Sequence, residues 1–121
     1  FFSDRIFQMG SGYVDELCER LTKEQKITAP YLNRGTGKAD PEDLKTHVTE
    51  TSHIFVNFES SPGGGVTSLN SPLVPEKYTL TASEMKFVGE KIVLNGTPIK
   101  VHATIDLTTM TGMGRVEVLD E

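Results

Sequence analysis

Asn95-Gly96 constrains this chain more than any other pair of residues, because it fixes a strand register that the neighbouring apolar residues can check. Both positions of a type I′ hairpin turn need positive φ, which Asn and Gly tolerate best. The turn sets Leu94 opposite Thr97 and Ile92 opposite Ile99. Gly89-Glu90 reads as a second tight turn, of type II′ with glycine first, which sets Phe87 opposite Ile92 and Met85 opposite Leu94. With both turns in place, Met85, Phe87, Ile92, Leu94, Ile99, Val101, Ala103, Ile105 and Leu107 share one face. Lys86, Lys91, Lys100, His102, Thr104 and Asp106 share the other. An antiparallel meander that is wet on one side follows.

Upstream, Tyr13, Val14, Leu17, Cys18 and Leu21 form an apolar stripe opposed by Asp15, Glu16, Glu19, Arg20 and Lys23, which predicts an amphipathic helix from about Gly12 to Gln25. Phe1, Phe2, Ile6 and Phe7 suit a preceding helical turn, continuous or broken at Gly10-Ser11-Gly12. Ile27 to Ala39 reads as loop. Asp40-Pro41-Glu42-Asp43 then combines an N-cap, a first-turn proline and acids at the positive end of the dipole, so a short helix to about Val48 is expected. Ile54, Val56 and Phe58 alternate as a strand, and the β-branched stretch Thr46 to Thr51 leaves its start open. Ser60 to Lys77 reads as a long loop, Thr108 to Gly114 as another, and Val116 to Leu119 as a last short strand.

The expected fold is α+β in a single domain over residues 1–121. One or two N-terminal amphipathic helices, within about 1–50, pack on an antiparallel β-meander of about four to six strands, within about 53–121. A β-sandwich or barrel with a helical appendage is the alternative.

Lys and Arg number 12 against 17 Asp and Glu, for a net charge of −5, and the basic residues are scattered singly between Arg5 and Arg115. Phosphate-backbone binding wants the opposite balance, so nucleic acid is not an expected partner. No apolar run reaches the roughly 18 residues of a membrane span. Cys18 is the one cysteine, so no internal disulfide can form. The chain opens on Phe1-Phe2, which processing or truncation of an upstream segment would leave, so soluble, secreted and assembly-bound locations all stay open.

Local motifs point to little chemistry. Gly35-Thr36-Gly37-Lys38 lacks the rest of a phosphate loop: Leu32 stands where the first glycine belongs, and Ala39 where a hydroxyl would reach magnesium. His47, Glu50 and His53, with His102 as an added donor, are the one cluster of metal-ligand types, and neither helix nor strand geometry converges them. Glu50 and His53 also have the spacing of half a di-iron helix motif, which needs four long helices. No metal or cofactor is expected. Glu84-Met85-Lys86 has the carboxylate-lysine spacing of magnesium nucleases, without a nearby upstream acid. Cys18 sits on the helix stripe as a small apolar residue. Asn95-Gly96-Thr97 matches a glycosylation acceptor, but Pro98 follows and the turn is tight.

The expected function is a non-catalytic interaction or structural module, a homo-oligomer or a subunit of a larger protein assembly. Its contact residues are placed on the loops, at Pro62, Gly63, Gly64, Gly65, Val66, Leu69, Leu73, Met110 and Met113, with Phe1 and Phe2 as a further apolar end. The alternative is a small-molecule- or metal-binding domain, hydrolytic in one version, whose pocket lies between helix and sheet and is lined by His102, Asp106 and His53.

Overall fold

Strand β7 (Thr97–Asp106) is the spine of the molecule: along its ten residues, Thr97, Ile99, Val101, Ala103 and Ile105 are buried in strict alternation. A computed structural model describes residues 16–59 and 66–119. In chain order the elements are α1 (Glu16–Leu21), β1 (Gln25–Thr28), α2 (Pro41–Thr51), β2 (His53–Phe58), β3 (Thr67–Pro72), β4 (Tyr78–Leu80), β5 (Glu84–Val88), β6 (Ile92–Leu94), β7 and β8 (Thr111–Val118). A 3-10 turn at Pro75–Lys77 precedes β4. All the strands join one antiparallel sheet in the order β3-β2-β1-β8-β7-β5-β4, with β6 also on β7, and the sheet curls into half a barrel.

The Asn95-Gly96 turn forms as the sequence demands. Asn95 and Gly96 have φ of 50° and 80°, and Leu94 faces Thr97 while Ile92 faces Ile99. Gly89-Glu90 is not a turn. β5 does not pair with β6; both lie along the same edge of β7, with Val88 opposite His102 and Ile92 opposite Ile99. Between those pairs, three residues, 89 to 91, face two, 100 and 101, which is a one-residue bulge in a single long hairpin. Phe87 therefore faces Ala103, and Met85 faces Ile105. The extra residue shifts the alternation by one, which returns Ile92 and Leu94 to the face of Met85 and Phe87. The apolar face was right although the neighbours were not.

The bulge also meets the β3 end of the curl. The Gly89 amide donates to Val101 O at 2.8 Å, while the Glu90 amide donates to Pro72 O at 2.8 Å, at the end of β3. A Cβ on Gly89 would collide with the Ser71 hydroxyl, so glycine is needed there for close approach rather than for its φ. At mid-sheet, a Cβ on Gly112 would collide with Thr104 O and come within 2.9 Å of Ile105 Cα, so β8 can bend tightly against β7 at that point.

Four further expectations are corrected. The first helix ends at Leu21; its expected start at Gly12, with Tyr13 and Val14, lies outside the described residues, as do Phe1 and Phe2. Its last carbonyls are taken by side chains, Thr22 Oγ1 donating to Glu19 O at 2.6 Å and Gln25 Nε2 to Arg20 O at 3.1 Å, and the chain turns directly into β1. The expected loop from Ile27 thus opens with a strand, in which Ile27 is fully buried between β2 and β8. The long loop from Ser60 to Lys77 contains β3, paired with β2 from His53–Pro72 to Phe58–Thr67. Leu69 and Leu73 are core residues. The loop expected from Thr108 is a tight turn, and β8 is already under way at Thr111.

Helix α2 matches its predicted start and outruns its predicted end. Asp40 Oδ1 accepts the Asp43 amide at 3.1 Å, Pro41 opens the first turn, and the helix closes with Ser52 at φ 57°. The β-branched stretch is helical, and in it Thr49 and Thr51 donate their hydroxyls back to Lys45 O at 2.9 Å and His47 O at 2.7 Å. Leu44 and Val48 of α2, with Cys18 and Leu21 of α1, join Phe58, Ile54, Val56, Met85, Ile99, Ile105 and Val116 in one apolar core.

Candidate functional site

The strand registers assemble a polar face from residues far apart in sequence. On the side of the sheet away from the core, Val88, His102 and Arg115 form one row across β5, β7 and β8, and Lys86, Thr104 and Met113 form the next. Lys26 of β1 continues the second row beside Met113, and Lys100 faces Glu117 one rung beyond His102. A groove of about 440 Å³ opens here. Tyr78 and Thr79 of β4, Lys86 to Val88 of β5 and His102 to Thr104 of β7 line it, with Glu76 and Lys77 of the 3-10 turn as one wall. That wall is tied to the bulge, since Lys77 Nζ lies 3.3 Å from Glu90 Oε2.

His102 is fixed by its neighbour on β8, its Nε2 lying 2.8 Å from Glu117 Oε1. That hydrogen bond, reinforced by the charges of His102, Lys100 and Arg115, holds the Glu117 carboxyl below the ordinary glutamate range. Lys86, Lys100 and Arg115 make no ion pair within 4 Å among the described residues, whereas Lys77 and Lys45 each reach a glutamate. The face therefore carries Lys26, Lys86, Lys100 and Arg115 without a close ion pair among the described residues, around one engaged histidine.

The sequence-level candidates are scattered. Leu69 and Leu73 are buried by β3 and its end, and Met110 is buried in the turn before β8, so none presents an exposed side chain. Burial follows from the strand pairing that their polar surroundings concealed. Val66 is exposed, and Met113 is exposed on the polar face beside Thr104. Pro62, Gly63, Gly64 and Gly65 lie outside the described residues. His53 Nδ1 is engaged with Thr51 O at 2.8 Å, Glu50 is exposed, and His47 makes tilted ring contacts with Tyr31 and Phe55 at ring distances of 5.6 and 5.2 Å. The Tyr31 hydroxyl accepts the Phe55 amide at 2.9 Å, and burial pushes its phenol above the ordinary range. No group of three metal-ligand side chains converges among the described residues.

Gly35 to Lys38 is a surface turn held by Asn33, whose Oδ1 accepts the amides of Gly35 at 2.8 Å and Thr36 at 3.1 Å. Glu84 does find an acid opposite it, Asp106, but Asp106 Oδ1 is occupied by the Thr108 amide at 2.8 Å. Cys18 is buried, 3.5 Å from Leu94 O. Neither His53 nor Asp106 lines the groove, and no residue of α1 or α2 does. Arg115 and Glu117, which complete the face, escaped sequence reasoning because Gly112 and Gly114 made the start of β8 look like loop. No protein-family model matches the chain, and the comparison with curated proteins returns no match.

Proposed function

We propose that the chain is a non-catalytic protein-interaction module whose contact site is the groove beside β4. The observation that carries this reading is the groove's position at an open end of the sheet. β4 ends the strand order, and its outer edge pairs with no strand among the described residues. Sites for small molecules enclose most of their ligand, whereas an open groove flanked by a free strand edge suits an extended segment of another protein. A three-residue edge is short enough not to aggregate on its own, and adjoining side chains supply selectivity. In this reading the helices are an appendage that covers the concave side of an incomplete barrel, which leaves the opposite face for contact.

The test is site-specific photocrosslinking in cell extract, with the photoreactive residue placed at exposed Thr79 on the groove or at exposed Thr46 on α2. A discrete protein adduct from position 79 and none from position 46 is the expected result. Equal, diffuse labelling from both positions would overturn the assignment.

A further inference from the structure

We propose that the segment taken by this face is acidic: an extended stretch of a partner protein whose carboxylates are read by Lys86, Lys100 and Arg115 around His102. This inference rests on the interaction reading above and adds the chemistry of the partner.

Charge complementarity, set against the molecule's own background, selects an acidic partner. The chain carries −5 overall, and two of its lysines show what happens where a carboxylate is in reach: Lys45 sits 3.5 Å from Glu42, and Lys77 sits 3.3 Å from Glu90. Lys86, Lys100 and Arg115 have no such contact among the described residues. Glu117, which faces Lys100 across β7 and β8, spends its Oε1 on His102 and makes no ion pair with Lys100 or Arg115 among the described residues. Glu84 and Asp106 oppose each other one rung from Lys86, at one end of β5 and β7, and Glu76 stands on the groove wall, so the electropositive end of the face is the one that holds Lys100 and Arg115. An anionic segment is drawn to that end and repelled from the other.

The spacing suits a strand. Same-face residues two apart along an extended chain are separated by about 6.6–6.8 Å, and neighbouring strands by about 4.8 Å. Lys86 and Arg115 stand two strands and one rung apart, which gives about 12 Å, while Lys100 and Arg115 are diagonal neighbours at about 7–8 Å. Carboxylates at positions i, i+2 and i+4 of an extended segment span the same range. Lys86, exposed and lining the groove, is the anchor; Lys100 and Arg115, half-exposed on β7 and β8, set direction.

Fluorescence anisotropy with three labelled eight-residue peptides, alternating Thr with Glu, Gln or Lys, tests the inference on the intact chain. The Glu peptide should bind best and should weaken as salt rises, since exposed ion pairs are screened. Lys86→Glu, Lys100→Glu and Arg115→Glu should each weaken it by about three- to tenfold, while Lys23→Glu, a reversal of an exposed lysine outside the face, should not. The Gln variants at the same positions, with unchanged melting temperature, separate charge loss from unfolding. Equal binding of the Gln peptide, preference for the Lys peptide or for a single-stranded oligonucleotide, or a dimer of this chain that the same reversals abolish would overturn the acidic-partner assignment. If the position 79 crosslink persists while the Glu peptide fails, only the chemistry is wrong. If both fail, the interaction reading falls with it.

Discussion

The closure of the curled sheet makes a sharp prediction at Gly89. An ideal Cβ there meets the Ser71 hydroxyl and lies 3.2 Å from Ser71 Cβ and 3.4 Å from Pro72 O. Gly89 does not have positive φ, so alanine suits the local backbone and the whole cost is steric. Ser71 is fully buried and donates to Pro72 O at 3.3 Å; to make room it must rotate, stranding a buried hydroxyl at about 1–3 kcal/mol. The remaining tight contact adds about 1 kcal/mol of overpacking, so Gly89→Ala should cost about 2–4 kcal/mol. Ser71→Ala alone loses one long hydrogen bond and should cost about 1 kcal/mol or less. In the Ser71→Ala background, Gly89→Ala should cost only about 1 kcal/mol, a coupling of about 1–3 kcal/mol. Equilibrium urea unfolding of the four proteins, compared at constant m, measures the cycle. Additivity within about 0.5 kcal/mol would refute the contact and with it the closure of β3 on the bulge. Gly112→Ala offers a contrast, because it meets main-chain atoms of Thr104 and Ile105 that no side-chain truncation can remove.

Three other outcomes are expected. Gly96→Ala should cost about 1 kcal/mol, because φ of 80° is strained for a residue with a Cβ, and an unchanged urea midpoint would contradict the turn. Leu69→Ala should cost about 2–5 kcal/mol while Val66→Ala stays within about 0.5 kcal/mol, and equal effects in thermal melts would show that β3 is not part of the core. His102→Gln should raise the Glu117 carboxyl toward the ordinary glutamate range in a carbon-detected NMR titration; an unmoved titration would mean the pair does not form in solution. Because the folded value is depressed, the contribution of Glu117 to stability is present above the ordinary glutamate range and is lost as pH falls through the depressed value.

What the sequence made legible was whatever carried its own period or its own punctuation. β7 announces itself through five buried positions in alternation, the Asn95-Gly96 turn through two residues that tolerate positive φ, and α2 through Asp40 and Pro41. β1 and β3 have no such signal. Each offers one buried apolar side chain, Ile27 or Leu69, among Gln, Lys, Thr, Ser and Asn, and each is a strand because β8 and β2 present an edge to it. Gly89-Glu90 shows the same limit from the other side. A II′ turn and a bulge both ask for glycine, and the choice is made by Pro72 and Ser71, which lie almost twenty positions upstream.

The candidate face was half legible for a related reason. Lys86, Lys100, His102 and Thr104 fall on the wet side from period alone, but Arg115 and Glu117 join them only if β8 begins at Thr111, and Gly112 and Gly114 argue locally against a strand. Those glycines are there because of the curl: Gly112 faces Ile105 on the concave side, where β7 and β8 approach too closely for a Cβ. Bending that crowds the concave side spreads the convex one. Side chains on the outer face splay apart, and neither Lys86, two residues from Glu84 on β5, nor Arg115 on β8 makes an ion pair among the described residues. The feature that hid β8 from the sequence therefore helps leave its outer face with cations that make no close ion pair among the described residues.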